Sequence, residues 1–322
     1  MKLLAILFAA LVLSAGCTRQ GDTGGSSTAP ASTSGPSGTA PVTAGPRIVS
    51  TTPAATFILI QIGAADTIVG LSGFEGTDQL PESLQKLPPV GNYDRINYEA
   101  LLQVRPTTMI MQIAPERMDP RLKQVVAEHH IELVNIHLDT LAELYTTAER
   151  LGVASGHEAD AKRQITRAKA SLAELSRRIA ADVKLKPRVL YVVGVGNMMV
   201  AGAGTFIDET IAAAGGINAA ADVNGQWPTL NAEVVAKLKP DVVILSQPGA
   251  PEQQPNDPRI APWLRYPIPA AKSSRVYVLT DPNAQMATLE VVQTVSSMTH
   301  LLHPDLEETL DSGGTAPTRP QP

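Results

Sequence analysis

The ten residues NYEALLQVRP, starting at Asn97, return in pattern as NAEVVAKLKP, starting at Asn231. In both, a Glu stands two residues after the Asn and a Pro seven after the Glu, followed by TTMIMQ in one copy and DVVILS in the other. Asn is a strong helix N-cap, and a carboxylate suits the positive end of a helix dipole. The residue before Pro is pushed out of the helical region, so each copy reads as a short helix handing over to an apolar strand. A unit present twice calls for two sheets, and 322 residues exceed what one hydrophobic core usually organises.

The segments around the two copies agree. RIVST, TFILIQIGA, TIVGLS, the first Glu-bearing helix, TTMIMQ, RLKQVVAEHH and IELVNI alternate strand-like with helix-like runs. A second series follows: RVLYVV, MMVAG, TFIDETIAAAGG, the second Glu-bearing helix, DVVILS, RVYVL and a last helix from about 289 to 302. Such alternation predicts α/β architecture with mainly parallel sheets. TFI stands near the start of one helix in each half, at Thr56 and Thr205. Between the halves a Pro-free stretch places Ile165, Leu172, Leu175 and Ile179 at helical spacing, which predicts one helix over about 155–185, roughly 40 Å long. The expected division is therefore a lobe at 47–154, the helix at 155–185 and a second lobe at 186–304.

The N-terminus carries a different message. Lys2 precedes LLAILFAALVL, an apolar run too short to span a bilayer, and LSAGC follows. This reads as a secretory signal over residues 1–17, and its end resembles the lipobox of bacterial lipoproteins, in which the cysteine, here Cys17, is joined to diacylglycerol. Cys17 is the only cysteine. Residues 18–46 are Gly, Ser, Thr, Ala and Pro with little to bury, a composition expected to stay disordered as a tether, and 305–322 is expected to be mostly disordered as well.

Other classes find little support. A net charge of -5 gives no basic field for nucleic acid. GVGNMMVAGAG has glycines after a strand, as a nucleotide-binding α/β enzyme would, but the following residues read as strand rather than as a helix N-terminus. No nucleophile arrangement is evident, and the chain is expected not to be an enzyme. His129, His130 and His137 suggest metal capture, yet adjacent histidines on a helix end point apart and no further ligands complete a shell.

RIVSTTPAATFIL, GAADTIVGLSGF, VGNYDRINYEALLQVRP and the segment from GTFIDET to DVVIL together resemble the periplasmic binding proteins for cobalamin, ferric siderophores and haem. That resemblance covers about 47–304. It implies two Rossmann-like lobes bridged by one long helix, with the ligand in a cleft between them and delivery to an ABC permease and its ATPase subunits. It also implies that Glu99 and Glu233, one per lobe, enter Arg pockets of the permease; by themselves, both are equally first-turn helix charges. Aromatics are only 4% of the chain. Phe74, Tyr93 and Trp227, with Met199, are the ligand contacts that the resemblance implies, and Tyr93 and Trp227 each precede their Glu by six residues. The family's cobalamin binder has Trp where Tyr93 stands, and haem binders place a Tyr where Asn92 stands. The expected ligand is thus cobalamin-like or a ferric siderophore, with haem or a metal ion as the alternative, Arg95 and Arg117 as candidate partners of an anionic complex, and no cofactor. The protein is expected to be a monomer, exported and lipid-anchored.

Overall fold

The computed structural model describes residues 45–76, 79–92 and 94–306. Cys17, Tyr93, all but the last two residues of the predicted tether and most of the tail lie outside the described residues. The first series folds as β1 (Ile48–Ser50), α1 (Pro53–Gln61), β2 (Ile68–Gly70), α2 (Glu82–Gln85), α3 (Tyr98–Gln103), β3 (Thr108–Met111), α4 (Pro120–Glu128), β4 (Glu132–Asn135) and α5 (Leu141–Ser155). Its four strands form one parallel sheet in the order β2-β1-β3-β4. After α6 (Glu158–Asp182) come β5 (Arg188–Gly194), β6 (Met199–Val200), α7 (Phe206–Ala213), β7 (Ile217–Asn218), α8 (Ala232–Leu238), β8 (Val242–Ser246), α9 (Pro269–Lys272), β9 (Val276–Leu279) and α10 (Val291–Leu302). The second sheet runs β6-β5-β8-β9 with β7 also on β5, and only β6 is antiparallel. Every residue of β3 and β8 is buried, as expected where a sheet is covered on both faces.

The duplication extends below the level of elements. Asn97 Oδ1 accepts from the Ala100 amide at 3.1 Å, and Asn231 Oδ1 from that of Val234 at 2.9 Å. Beyond the two helices, Arg105 and Lys239 both take positive φ, 44° and 49°, immediately before a proline. An arginine at the start of each central strand then binds the carbonyls of the finished helix. Arg47 donates from Nη2 to the Val104 carbonyl at 2.8 Å, and Arg188 from Nε to that of Leu238 at 3.3 Å. The Arg47 amide donates to Thr107 Oγ1 and the Arg188 amide to Asp241 Oδ2, both at 2.9 Å. The TFI match, by contrast, is not positional. Thr205 is the N-cap of α7, whereas Thr56 lies inside α1, which begins at Pro53 behind Thr52.

The long helix is shorter than the sequence suggests. Gly156, at φ 74°, ends α5 in the left-handed region that a side chain disfavours, and α6 starts at Glu158 and stops at Asp182. Its 25 residues span about 37 Å. Ala161, Ile165, Ala168 and Ile179 are buried along one stripe, which packs against α5 and against α7 and α10. The same apolar cluster includes Ile58 and Leu144 from the first series and Ile207 and Val295 from the second. Two hydrogen bonds cross this seam. The Leu289 amide donates to Gln61 Oε1 at 2.9 Å, and the Leu141 amide to Glu209 Oε2 at 2.6 Å. Burying each such aliphatic side chain is worth about 1.5–3 kcal/mol, so the seam resists wide separation of the two sheets.

One buried hydroxyl at the seam lacks a partner among the described residues, Thr288 Oγ1. An unsatisfied buried hydroxyl costs about 1–3 kcal/mol, and valine has the same shape without it. Thr288→Val is therefore expected to raise stability by about 1 kcal/mol, read as a higher midpoint in urea at unchanged slope. A lower midpoint would show that the hydroxyl is satisfied in solution.

Candidate functional site

A cleft of about 350 Å³ opens where both sheets end. From the first series it is lined by Thr52, Pro53 and Ala54 after β1, Gln112 after β3, and Leu138 and Asp139 after β4. From the second come Phe206 at the start of α7, Trp227, and the loop Gln285–Ala287 after β9. Carboxyl ends of parallel strands are where open α/β sheets leave room for a ligand, because the connecting loops diverge there.

Trp227 owes its place to a segment laid against the edge of β6. The Val200 amide donates to the Pro228 carbonyl at 3.0 Å, that of Gly202 to Gln226 at 2.8 Å, and that of Leu230 to Met198 at 3.1 Å. The approach is close enough that a Cβ on Gly202 would meet the Gly225 carbonyl oxygen at 2.4 Å, so residue 202 has to lack one. The Trp227 ring remains 37% exposed although its backbone is held on both sides, an arrangement that presents a rigid apolar face. Met199 pairs with Thr229 in the same ladder, and its half-buried side chain is not part of the cleft lining.

The loop that carries Gln285 is fixed from below. Buried Tyr191 donates its hydroxyl to the Ala284 carbonyl at 2.7 Å and lies 3.0 Å from Ser246 Oγ; burial pushes the phenol's pKa upward. Gln285 Nε2 donates to the carbonyls of Val193 and Ser246, at 3.1 and 3.0 Å. Both of its N–H donors are thus engaged, and Oε1 is left as an acceptor.

Phe74 does not line the cleft and stands on a clamped turn. Glu75, 5% exposed, accepts from the amides of Ser72 and Gly73 at 2.9 Å and from Thr56 Oγ1 at 3.2 Å, while Thr56 also reaches Ser50 Oγ at the end of β1. Phe74, at 69%, is the most exposed aromatic among the described residues. Sequence reasoning missed Glu75, Phe206, Gln285 and Asp139. Only Asp139 had a usable signal, since Thr140 and Glu143 form a capping box and Asp139 precedes that box in the short loop after a strand.

Glu99 and Glu233 are exposed in the first turns of α3 and α8. Each helix leads directly into a parallel strand and runs antiparallel to it, so both carboxylates stand toward the carboxyl ends of their sheets, the side on which the cleft opens. Glu233 pairs with Lys237 at 2.7 Å; among the described residues Glu99 forms no such pair. The glycine-rich run after β5 is a turn into antiparallel β6 and offers no helix N-terminus to a phosphate. His129 and His130 end α4 and His137 follows β4, and among the described residues no cluster of three or more metal-binding side chains occurs. Arg95 is exposed, Arg117 stands 3.9 Å from Asp94, and neither lines the cleft.

Comparisons with known proteins agree with this architecture. A family model described as periplasmic binding protein matches residues 48–282. The ABC transporter substrate-binding lipoprotein YvrC of Bacillus subtilis is 22% identical over 80% of this chain and 80% of its own. The vitamin B12-binding protein of Photorhabdus laumondii is 26% identical over 64% of this chain and 72% of its own. Among solved structures, the apo periplasmic heme-binding protein RhuT of Roseiflexus sp. RS-1 superposes with a TM-score of 0.66 at 24% identity, covering 81% of this chain and 99% of that one.

Proposed function

The chain belongs to the periplasmic binding protein family, a family of binding proteins rather than enzymes, and from that premise we propose that it captures a cobalamin-like or ferric-chelate ligand and delivers it to an ABC permease. The observation that carries this reading is the pairing of one cleft, lined from both sheets, with two exposed glutamates at equivalent places beside it. A flat macrocycle entering the cleft has Trp227 and Phe206 as apolar walls, and the exposed Phe74 on its rigid turn is proposed as a further contact. Vitamin B12 and heme are what two of the compared proteins are named for, and both are flat metal macrocycles. Residues 47–154 and 186–304 act as the two lobes, joined through α6. Tyr93 is proposed as the first lobe's counterpart of Trp227, and Met199 as a support of the Trp227 segment. Cys17 carries the lipid anchor, as LSAGC and the lipoprotein YvrC support, and holds an exported protein at a membrane face where the permease lies.

The test is a fluorescence titration of the full chain in detergent with cyanocobalamin, cobinamide, haem and a ferric catecholate. Trp263 is buried against Tyr266, so ligand quenching reports chiefly on Trp227. One class is expected to quench saturably at micromolar concentration or below. If none of the four does, the ligand class is wrong.

A further inference from the structure

We infer that Asp139 sets the charge class of the ligand: the cleft takes a neutral or cationic complex whose rim offers N–H donors, and disfavours one that presents carboxylates. The inference rests on the reading of this cleft as the ligand site. Asp139 is the one ionisable side chain among the described residues that line it, and no Lys, Arg or His there could meet an anion. The other polar side chains of the lining are neutral, the Thr52 hydroxyl and the amides of Gln112 and Gln285, and Gln285 has only its acceptor free.

Asp139 sits at the start of α5, where backbone N–H groups ordinarily satisfy a carboxylate, but the amides of Asp139, Thr140, Leu141 and Glu143 are given to other acceptors. Glu143 Oε2 accepts from the amides of Asp139 and Thr140 at 2.9 and 3.0 Å. Thr140 Oγ1 accepts from the Glu143 amide, and Glu209, reaching over from α7, accepts from that of Leu141. The Asp139 carboxylate is left without a hydrogen-bond partner among the described residues, partly buried, with two further carboxylates at the same helix end. A donor on the ligand satisfies it; an added carboxylate meets repulsion in a site with reduced solvent screening. Corrinoids carry peripheral amide N–H groups and fit, whereas haem, with two propionates, does not.

The groups facing Asp139 give the pH dependence its sign. Burial raises its pKa above the usual carboxylate range, Glu143 adds to this, and His137 opposes it. Affinity for a donor-bearing ligand is therefore held above that pKa and lost as pH falls through it, over a window reaching closer to neutrality than an ordinary aspartate would give.

The experiment compares the full chain with Asp139→Asn, titrating cyanocobalamin and haem from pH 4 to 7. The carboxylate makes no internal hydrogen bond, so the variant should fold, and a matching thermal midpoint verifies this. Asp139→Asn is expected to weaken cyanocobalamin binding about tenfold at pH 7, flatten its pH profile and tighten haem. Unchanged cyanocobalamin affinity and profile in the variant, or wild-type preference for haem, overturns the charge selection while leaving the cleft as the ligand site. Absence of saturable cyanocobalamin binding by the wild type also overturns the inference, while the cleft reading itself falls only if the ferric catecholate and cobinamide fail to bind as well.

Discussion

Changing both Glu99 and Glu233 to Ala is expected to abolish association with the permease while leaving ligand affinity within about twofold. Both carboxylates are exposed, and surface changes of this kind usually shift folding by under about 0.5 kcal/mol. Losing one hydrogen-bonded charge pair at an interface, with the partner's arginine left unpaired, commonly costs about 2–5 kcal/mol, so each single variant should already reduce uptake. The ion pair between Glu233 and Lys237 does not forestall docking, because an exposed pair one helical turn apart is worth only about 0.3–0.5 kcal/mol. Charge reversal to Lys should be worse than Ala, since it adds repulsion. The measurement is association and uptake in reconstituted vesicles, with ligand affinity determined on the same preparations. Undiminished association of the double variant would return both residues to the role of first-turn helix charges and leave the duplication as structure alone.

Trp227→Ala is expected to weaken ligand binding by about 1–3 kcal/mol, or five- to more than a hundredfold, with little effect on the thermal midpoint of the empty protein. The physical ground is that the ring lines the cleft while its support comes from backbone hydrogen bonds to β6, which alanine retains. Phe74→Ala should cost less, because that ring stands outside the lining. A large fall in stability with affinity intact would instead make Trp227 a packing residue of the second sheet.

The sequence by itself determined the α/β class, the two-series organisation and the Glu-bearing helices. These rest on short-range rules: an Asn cap, a helical stripe and a Pro boundary act within a few residues, and α3 and α8 begin and end where those rules put them. Even so, the deeper part of the duplication went unread. Arg47 and Arg188 each follow a proline in the sequence, but that they bind the ends of equivalent helices depends on contacts across 50 or more residues. The boundary of α6 also needed the structure, because Gly156 could end one helix or sit within another until its φ was known. Only the tertiary structure decided which side chains meet in the cleft. Trp227 and Met199 belong to the same ladder, yet one lines the cleft and the other does not, because only the end of the ladder that carries Trp227 reaches the loops of the first sheet. Asp139 could be placed after a strand from the sequence, but its lack of a hydrogen-bond partner could not, because it depends on which acceptors compete for the nearby amides, among them Glu143 from its own helix and Glu209 from across the seam.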